Sequence, residues 1–127
     1  MEITQLIISA LFISISGISK AICDVSAING SEDKLSSLDI FWWRKSISSN
    51  NKYKNRDPKQ GEAFLGSTNI WVWLTDAWHL FDFIRDLSLS ASMVLCPMIW
   101  YVYPCIYALR QVVFELVYRW LRKPFKK

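Results

Sequence analysis

With 127 residues the chain has room for one domain but not for two sizeable ones. Apolar residues make up 52% and aromatics 15%, with seven tryptophans, which is more greasy surface than a single core of this size hides, so lipid is expected to absorb the surplus. The net charge of +4 is unevenly spread, and three cysteines without a C-x-x-C or a histidine cluster exclude a disulfide framework or a zinc-finger spacing.

Residues 3 to 19, "ITQLIISALFISISGIS", carry no formal side-chain charge. That length sits at the short end for a membrane span, and the pairs Ala10/Ser14 and Gly17/Ala21 have the small-xxx-small spacing of closely packed membrane helices. A cleaved signal peptide is the rival reading, but Glu2 makes its leading region acidic rather than basic. The first unit expected is therefore residues 1–22, a hydrophobic helix that crosses the membrane or lies on it. Ile22 stands where a lipoprotein signal needs a small residue before Cys23. Cys96 and Cys105 share one apolar segment, where helical geometry holds them too far apart to bond. All three thiols read as small apolar side chains.

Residues 23–69 form a polar stretch, expected as an extracytoplasmic loop rich in turn formers. Residues 24 to 39 are acidic, whereas 44 to 59 are basic, with Arg44, Lys45, Lys52, Lys54, Arg56 and Lys59. Trp42 and Trp43 adjoin these cations, a combination that suits lipid headgroups. A solvated loop fits equally well, and nucleic-acid binding trails because no binding motif accompanies the charges. Asn29-Gly30-Ser31 matches a glycosylation sequon.

The third unit, residues 70–109, is expected as an amphipathic helix running into a transmembrane helix. "GST" at 66–68 opens the pattern. Trp73, Leu74, Ala77, Trp78, Phe81 and Ile84 then share a broad apolar face, and Thr75, Asp76, His79, Asp82 and Asp86 share the other. From Leu87 to Leu109 there are 23 residues without a charge, long enough to cross a bilayer with some tilt. Pro97 and Pro104 lie seven apart within it and are expected to bend it.

The last unit, residues 110–127, is a basic amphipathic tail with Val113, Phe114, Val117 and Leu121 on one side and Glu115, Arg119, Arg122 and Lys123 on the other. Its cations mark it as cytoplasmic by the positive-inside rule, which places residues 76 to 86 on the outer side. The fold class expected is an all-α membrane protein, with one or two transmembrane helices, amphipathic interfacial helices and a polar loop. Trp42, Trp43, Trp71, Trp73, Trp78, Trp120, Arg119, Arg122 and Lys123 are its expected interface anchors.

"NKYKNRDPKQGEAFLGSTNIWVWLTDAWHLFDFI" resembles a group of short integral membrane proteins of Bacteroidetes-type bacteria and their phages. In these a "DPKQG" loop, here Asp57 to Gly61, precedes a glycine-serine-threonine turn and an aromatic "TD-x-WH" segment, here Thr75, Asp76, Trp78 and His79. The resemblance covers residues 51–86 and implies a membrane location in a prokaryotic or viral source.

Three functions compete. The leading expectation is a structural or interaction subunit of a membrane assembly, with the bilayer and a protein partner or a second copy as its partners. A holin-like pore or lysis protein comes next, argued from size, two candidate spans and a basic tail, and opposed by the long loop. A metal- or proton-binding membrane protein would use Asp76 and His79, joined by Asp82 and Asp86; the i, i+3 spacing of the first two puts both on one helix face. A single helix presents such ligands in a row and cannot close a cage alone. No nucleophile with an adjacent base and no phosphate loop is present, so neither an enzyme nor a cofactor is expected.

Overall fold

The computed structural model describes residues 3–28, 33–95 and 102–123. The sequon at 29–31 and residues Cys96, Pro97, Trp100 and Tyr101 lie outside the described residues. Helix α1 spans Ile3–Ala27 and continues past the expected boundary at residue 22. Lys20 and Asp24 pair one turn apart at 2.7 Å, so the first charges of α1 sit on the helix without breaking it. Among the described residues α1 is the one helix long and apolar enough to cross a membrane.

Short elements fill the polar segment. Helices α2, Ile40–Trp43, and α3, Lys45–Ser48, stand among single 3₁₀ turns at Lys34–Ser37, Lys54–Arg56, Pro58–Gln60 and Val72–Leu74. Aspartates start three of these: Asp33 accepts from Ser36 N, Asp39 from Phe41 N and Asp57 from Lys59 N. The "DPKQG" run is thus a turn. Asp57 caps it, Pro58 opens it, and Gly61 adopts φ +79° with ψ −163°, a region open essentially to glycine. Tyr53 and Glu62 bridge across its base, closed by Lys54 N to Gly61 O at 3.0 Å and Ala63 N to Lys52 O at 2.9 Å.

Helix α4 spans Ala77–Leu95, starting eleven residues later than the "GST" pattern suggests. Gly66 (φ +77°) and the Val72–Leu74 turn precede it, and Asp76 supplies the cap that fixes its first turn. Helix α5 spans Val102–Arg122. Pro104 falls in its first turn, where a missing N–H costs no intrahelical bond.

Side-chain pairs set how the three long helices lie. Ser9 Oγ is 2.7 Å from Ser92 Oγ, and Cys23 Sγ donates to Trp78 O at 3.5 Å, so α4 runs antiparallel to α1. Arg110 Nε donates to Ser16 Oγ at 3.1 Å, Lys20 Nζ stands over the Phe114 ring, and Leu121 packs with Val25. Helix α5 therefore runs parallel to α1, opposite in direction to α4. Of the single span expected over 87–109, 87–95 finish α4 and 102–109 begin α5, and these two described pieces run in opposite directions.

Small side chains make the contacts close. Ser9, Ser16, Gly17, Ala21 and Ser26 of α1 and Ser88 and Ser92 of α4 are buried, and such residues let helix backbones approach. At the other end Val25, Leu35 and Leu121 form a cluster flanked by Ile22, Trp43, Val117 and Tyr118. Lys34 Nζ donates to the carbonyls of Trp120 (2.7 Å) and Lys123 (3.0 Å), capping the last turn of α5 with a cation. Residues 110–122 accordingly belong to an arm packed along α1, with Lys34 on its last carbonyls.

Candidate membrane interface

Charge along the bundle is sorted by height. The register set by Ser9–Ser92 and Cys23–Trp78 puts Asp86 level with Ile15 and Arg85 level with Ser16. Arg110 stands beside Ser16 and Gly17. The last charge of α4 and the first charge of α5 therefore fall at one level, and α1 acquires its first charge, Lys20, a turn later. Beyond that level Ile3–Ile15, Leu87–Leu95 and Val102–Leu109 are all charge-free. Helical rise makes these pieces about 20, 13 and 12 Å long.

Large apolar side chains are exposed throughout this end. Ile3 is 78% exposed, Leu11 60%, Leu87 57% and Val94 80%. Exposed apolar area this extensive marks a contact surface. Ion pairs extend as a collar from its border toward the far end of the bundle: Arg85 with Asp82 (2.5 Å) and Asp86 (2.8 Å), then Lys20 with Asp24, and, near the far end of α5, Glu115 with Arg119 (2.6 Å). With Arg110 included, four cations face four anions. An aromatic ladder descends to the same level, with Trp71 beside Trp73 (6.0 Å between centroids) and Trp73 stacked on Phe83 (4.9 Å), one turn from Leu87. The loop that carries it also exposes Leu65 and Ile70.

Of the residues expected as interface anchors, Trp71 and Trp73 lie near the collar. Trp43 is stacked on Phe81 at 5.9 Å and packs on the far cluster, while Trp42 is half-buried on α2. Trp78 carries Lys45 Nζ 3.4 Å from its ring centroid and meets His79 edge-on. Trp120, Arg119, Arg122 and Lys123 occupy the end of α5 farthest from the charge-free end. The basic stretch 44–59 is divided, with Arg44 buried, Lys45 and Lys52 half-buried, and Lys54, Arg56 and Lys59 exposed. Arg44 is buried against both oxygens of Asp33 at 3.1 Å and donates to Ile28 O at 2.7 Å. Lys52 and Arg56 lie over Tyr53 and Phe41.

The four residues considered for a metal separate into two groups. Asp76 is fully buried, and its Oδ1 accepts the His79 backbone N–H at 3.0 Å while its Oδ2 lies 2.6 Å from His79 Nδ1. Thr75 Oγ1 approaches Oδ2 at 3.2 Å. Burial pushes this carboxyl's pKa up, but the ring and backbone hydrogen bonds from His79, its charge and the Thr75 hydroxyl outweigh that and hold it below the ordinary value. An ionised Asp76 accepts from the ring, which makes Nδ1 a protonated, donating nitrogen. Asp82 and Asp86 instead flank Arg85. Among the described residues no group of three or more histidine, cysteine, aspartate or glutamate side chains gathers to hold a metal. What Asp76 and His79 accomplish together is to start α4, in the manner of an N-cap reinforced by its third helical residue.

Neither the common level of Asp86 and Arg110 nor the buried serine seam emerged from the sequence reading. Serine recurrence at Ser9/Ser16 and Ser88/Ser92, together with the proline spacing, carries the signal for both. No family model matches the chain, and no curated protein or solved structure is similar to it.

Proposed function

We propose that the protein is a small membrane-seated interaction protein, whose charge-free bundle end sits in lipid while its polar lobe and collar remain in water. The observation that carries this reading is the shared level at which α4 and α5 pass from charged to charge-free beside α1. Magnitudes favour seating the end over burying the whole bundle. The midpoint of α1 is Ile15, so centring α1 in a bilayer would set Arg85, Asp86 and Arg110 near the midplane. Each charge there costs about 2.5 kcal/mol or more, whereas the end-on position leaves all three at the surface.

The balanced collar makes apolar insertion, rather than attraction to anionic lipid, the source of affinity. Full-length protein should float with vesicles of pure phosphatidylcholine and resist both high salt and alkaline carbonate. Release by carbonate would remove the membrane reading; binding that needs anionic lipid and disappears in salt would show a peripheral electrostatic contact instead. With the bundle end in lipid, the lobe between α1 and α4 is the surface left for a protein partner, which makes a structural or adaptor role the best fit.

A further inference from the structure

Resting on that reading, we infer that α4 and α5 form a re-entrant pair that enters one leaflet and leaves by the same face, placing the polar lobe and the C-terminal end of α5 on one side of the membrane. The argument starts from direction. Helix α4 descends past α1 from Cys23 toward Ser9, and α5 ascends past it from Ser16 toward Val25. Asp86 and Arg110, the two charges that bound the long apolar run, end at the same height rather than at the two ends of a span.

Length points the same way. A crossing helix needs about 20 residues to traverse roughly 30 Å of hydrocarbon. The described charge-free arms contain nine residues in α4 and eight in α5, about 13 and 12 Å, close to one leaflet. Backbone groups at that depth need internal partners, and both arms are helical, with Ser92 and Ser9 closing the seam between α4 and α1 by hydrogen bond. The lipid-facing residues Leu87, Met93 and Val94 of α4 and Tyr107 and Leu109 of α5 are exposed. Lipid tails meet the apolar side chains of all three helices at once below the collar.

A topology assay separates this inference from the membrane reading beneath it. The full chain is prepared with Cys23, Cys96 and Cys105 replaced by serine, and a single cysteine is introduced by Lys59→Cys in the lobe or Arg119→Cys on α5; both positions are exposed. Sealed vesicles of one orientation are treated with a membrane-impermeant maleimide before and after permeabilisation, and each preparation is first washed with carbonate. Both sites should behave alike, giving a ratio of labelling near one in either condition. Labelling of one site before permeabilisation and of the other only after it would make 87–109 a true crossing and overturn the re-entrant pair. Loss of the protein in the carbonate wash would instead remove the membrane reading and the pair with it.

Discussion

Both oxygens of Asp76 are committed to one residue three positions ahead: Oδ1 takes the backbone N–H of His79 at 3.0 Å and Oδ2 faces its ring Nδ1 at 2.6 Å. The pair satisfies a free N–H of the first turn of α4 and keeps a proton on the ring Nδ1 in one stroke. Asn51 adds a further tie by donating to Thr75 O at 3.1 Å and Phe41 O at 2.6 Å, which fastens α2 to the start of α4.

Asp76→Ala should therefore weaken the fold by more than a lone cap, because it also leaves the half-buried ring N–H of His79 without its acceptor, whereas the Thr75 hydroxyl keeps Val72 O at 2.6 Å. A loss of about 2–3 kcal/mol is expected, against about 1 kcal/mol for His79→Ala, which spares the backbone cap. Urea unfolding in detergent, followed by far-ultraviolet circular dichroism, reads both. Equal small losses for the two variants would show that the ring contact contributes nothing.

The lowered pKa of Asp76 has a definite sign in the pH profile. A carboxyl whose folded pKa lies below its unfolded value, about 3.9, contributes stability that is fully present above about pH 5 and disappears as pH falls through the folded value. Glu62, held low by the Thr68 hydroxyl and the Gly66 N–H, acts in the same direction. Asp76→Asn should flatten the acid limb of the unfolding curve while Glu62 preserves part of it. An unchanged acid limb in Asp76→Asn would mean that this carboxyl is not ionised by its partners.

Helical character, the Asp76–His79 face and the apolar run after Asp86 were all legible from residue periods and charge gaps, because these are local properties. Helix direction was not. Nothing in "LSLSASMVLCPMIWYVYPCIYAL" states whether its charge-free length is spent on one crossing or on a descent and a return; that depends on Ser92 meeting Ser9 and Arg110 meeting Ser16, contacts between residues more than eighty positions apart. The place of Arg44 among the cations of 44–59 was hidden for a related reason. Composition counts Arg44 as surface charge, while tertiary packing buries it on Asp33. In the same way His79 and Asp76 share a face as expected, yet the meaning of that face comes from where the helix begins.

Gly17 tests the approach of α1 and α5. In an ordinary helix interior, alanine in place of glycine gains about 0.5–1 kcal/mol. Here the added Cβ would stand 2.8 Å from Arg110 O, with Phe114 N and Val113 Cβ both at 3.3 Å. Two of these neighbours are backbone atoms, so relief requires α5 to move off α1. The clash wins: Gly17→Ala should lose about 1–3 kcal/mol and Gly17→Val more. A gain in the unfolding midpoint for Gly17→Ala would show that the two helices are farther apart than described.

Ser9 and Ser92 test the register on which the common charge level depends. Their hydroxyl oxygens are 2.7 Å apart, both residues are buried, and Ser9 Oγ also lies 3.2 Å from Ser92 O. Cysteines at both positions, in a chain whose native cysteines are serine, would bring two sulfurs within bonding reach with little backbone movement. Mild oxidation should cross-link Ser9→Cys/Ser92→Cys nearly completely, read as faster migration on a non-reducing gel. Ser9→Cys/Val94→Cys should stay open, since Val94 is 80% exposed and points away from the seam. If the second pair closes and the first does not, α4 is rotated on α1, Asp86 leaves the level of Arg110, and the one-sided entry of α4 and α5 loses its support.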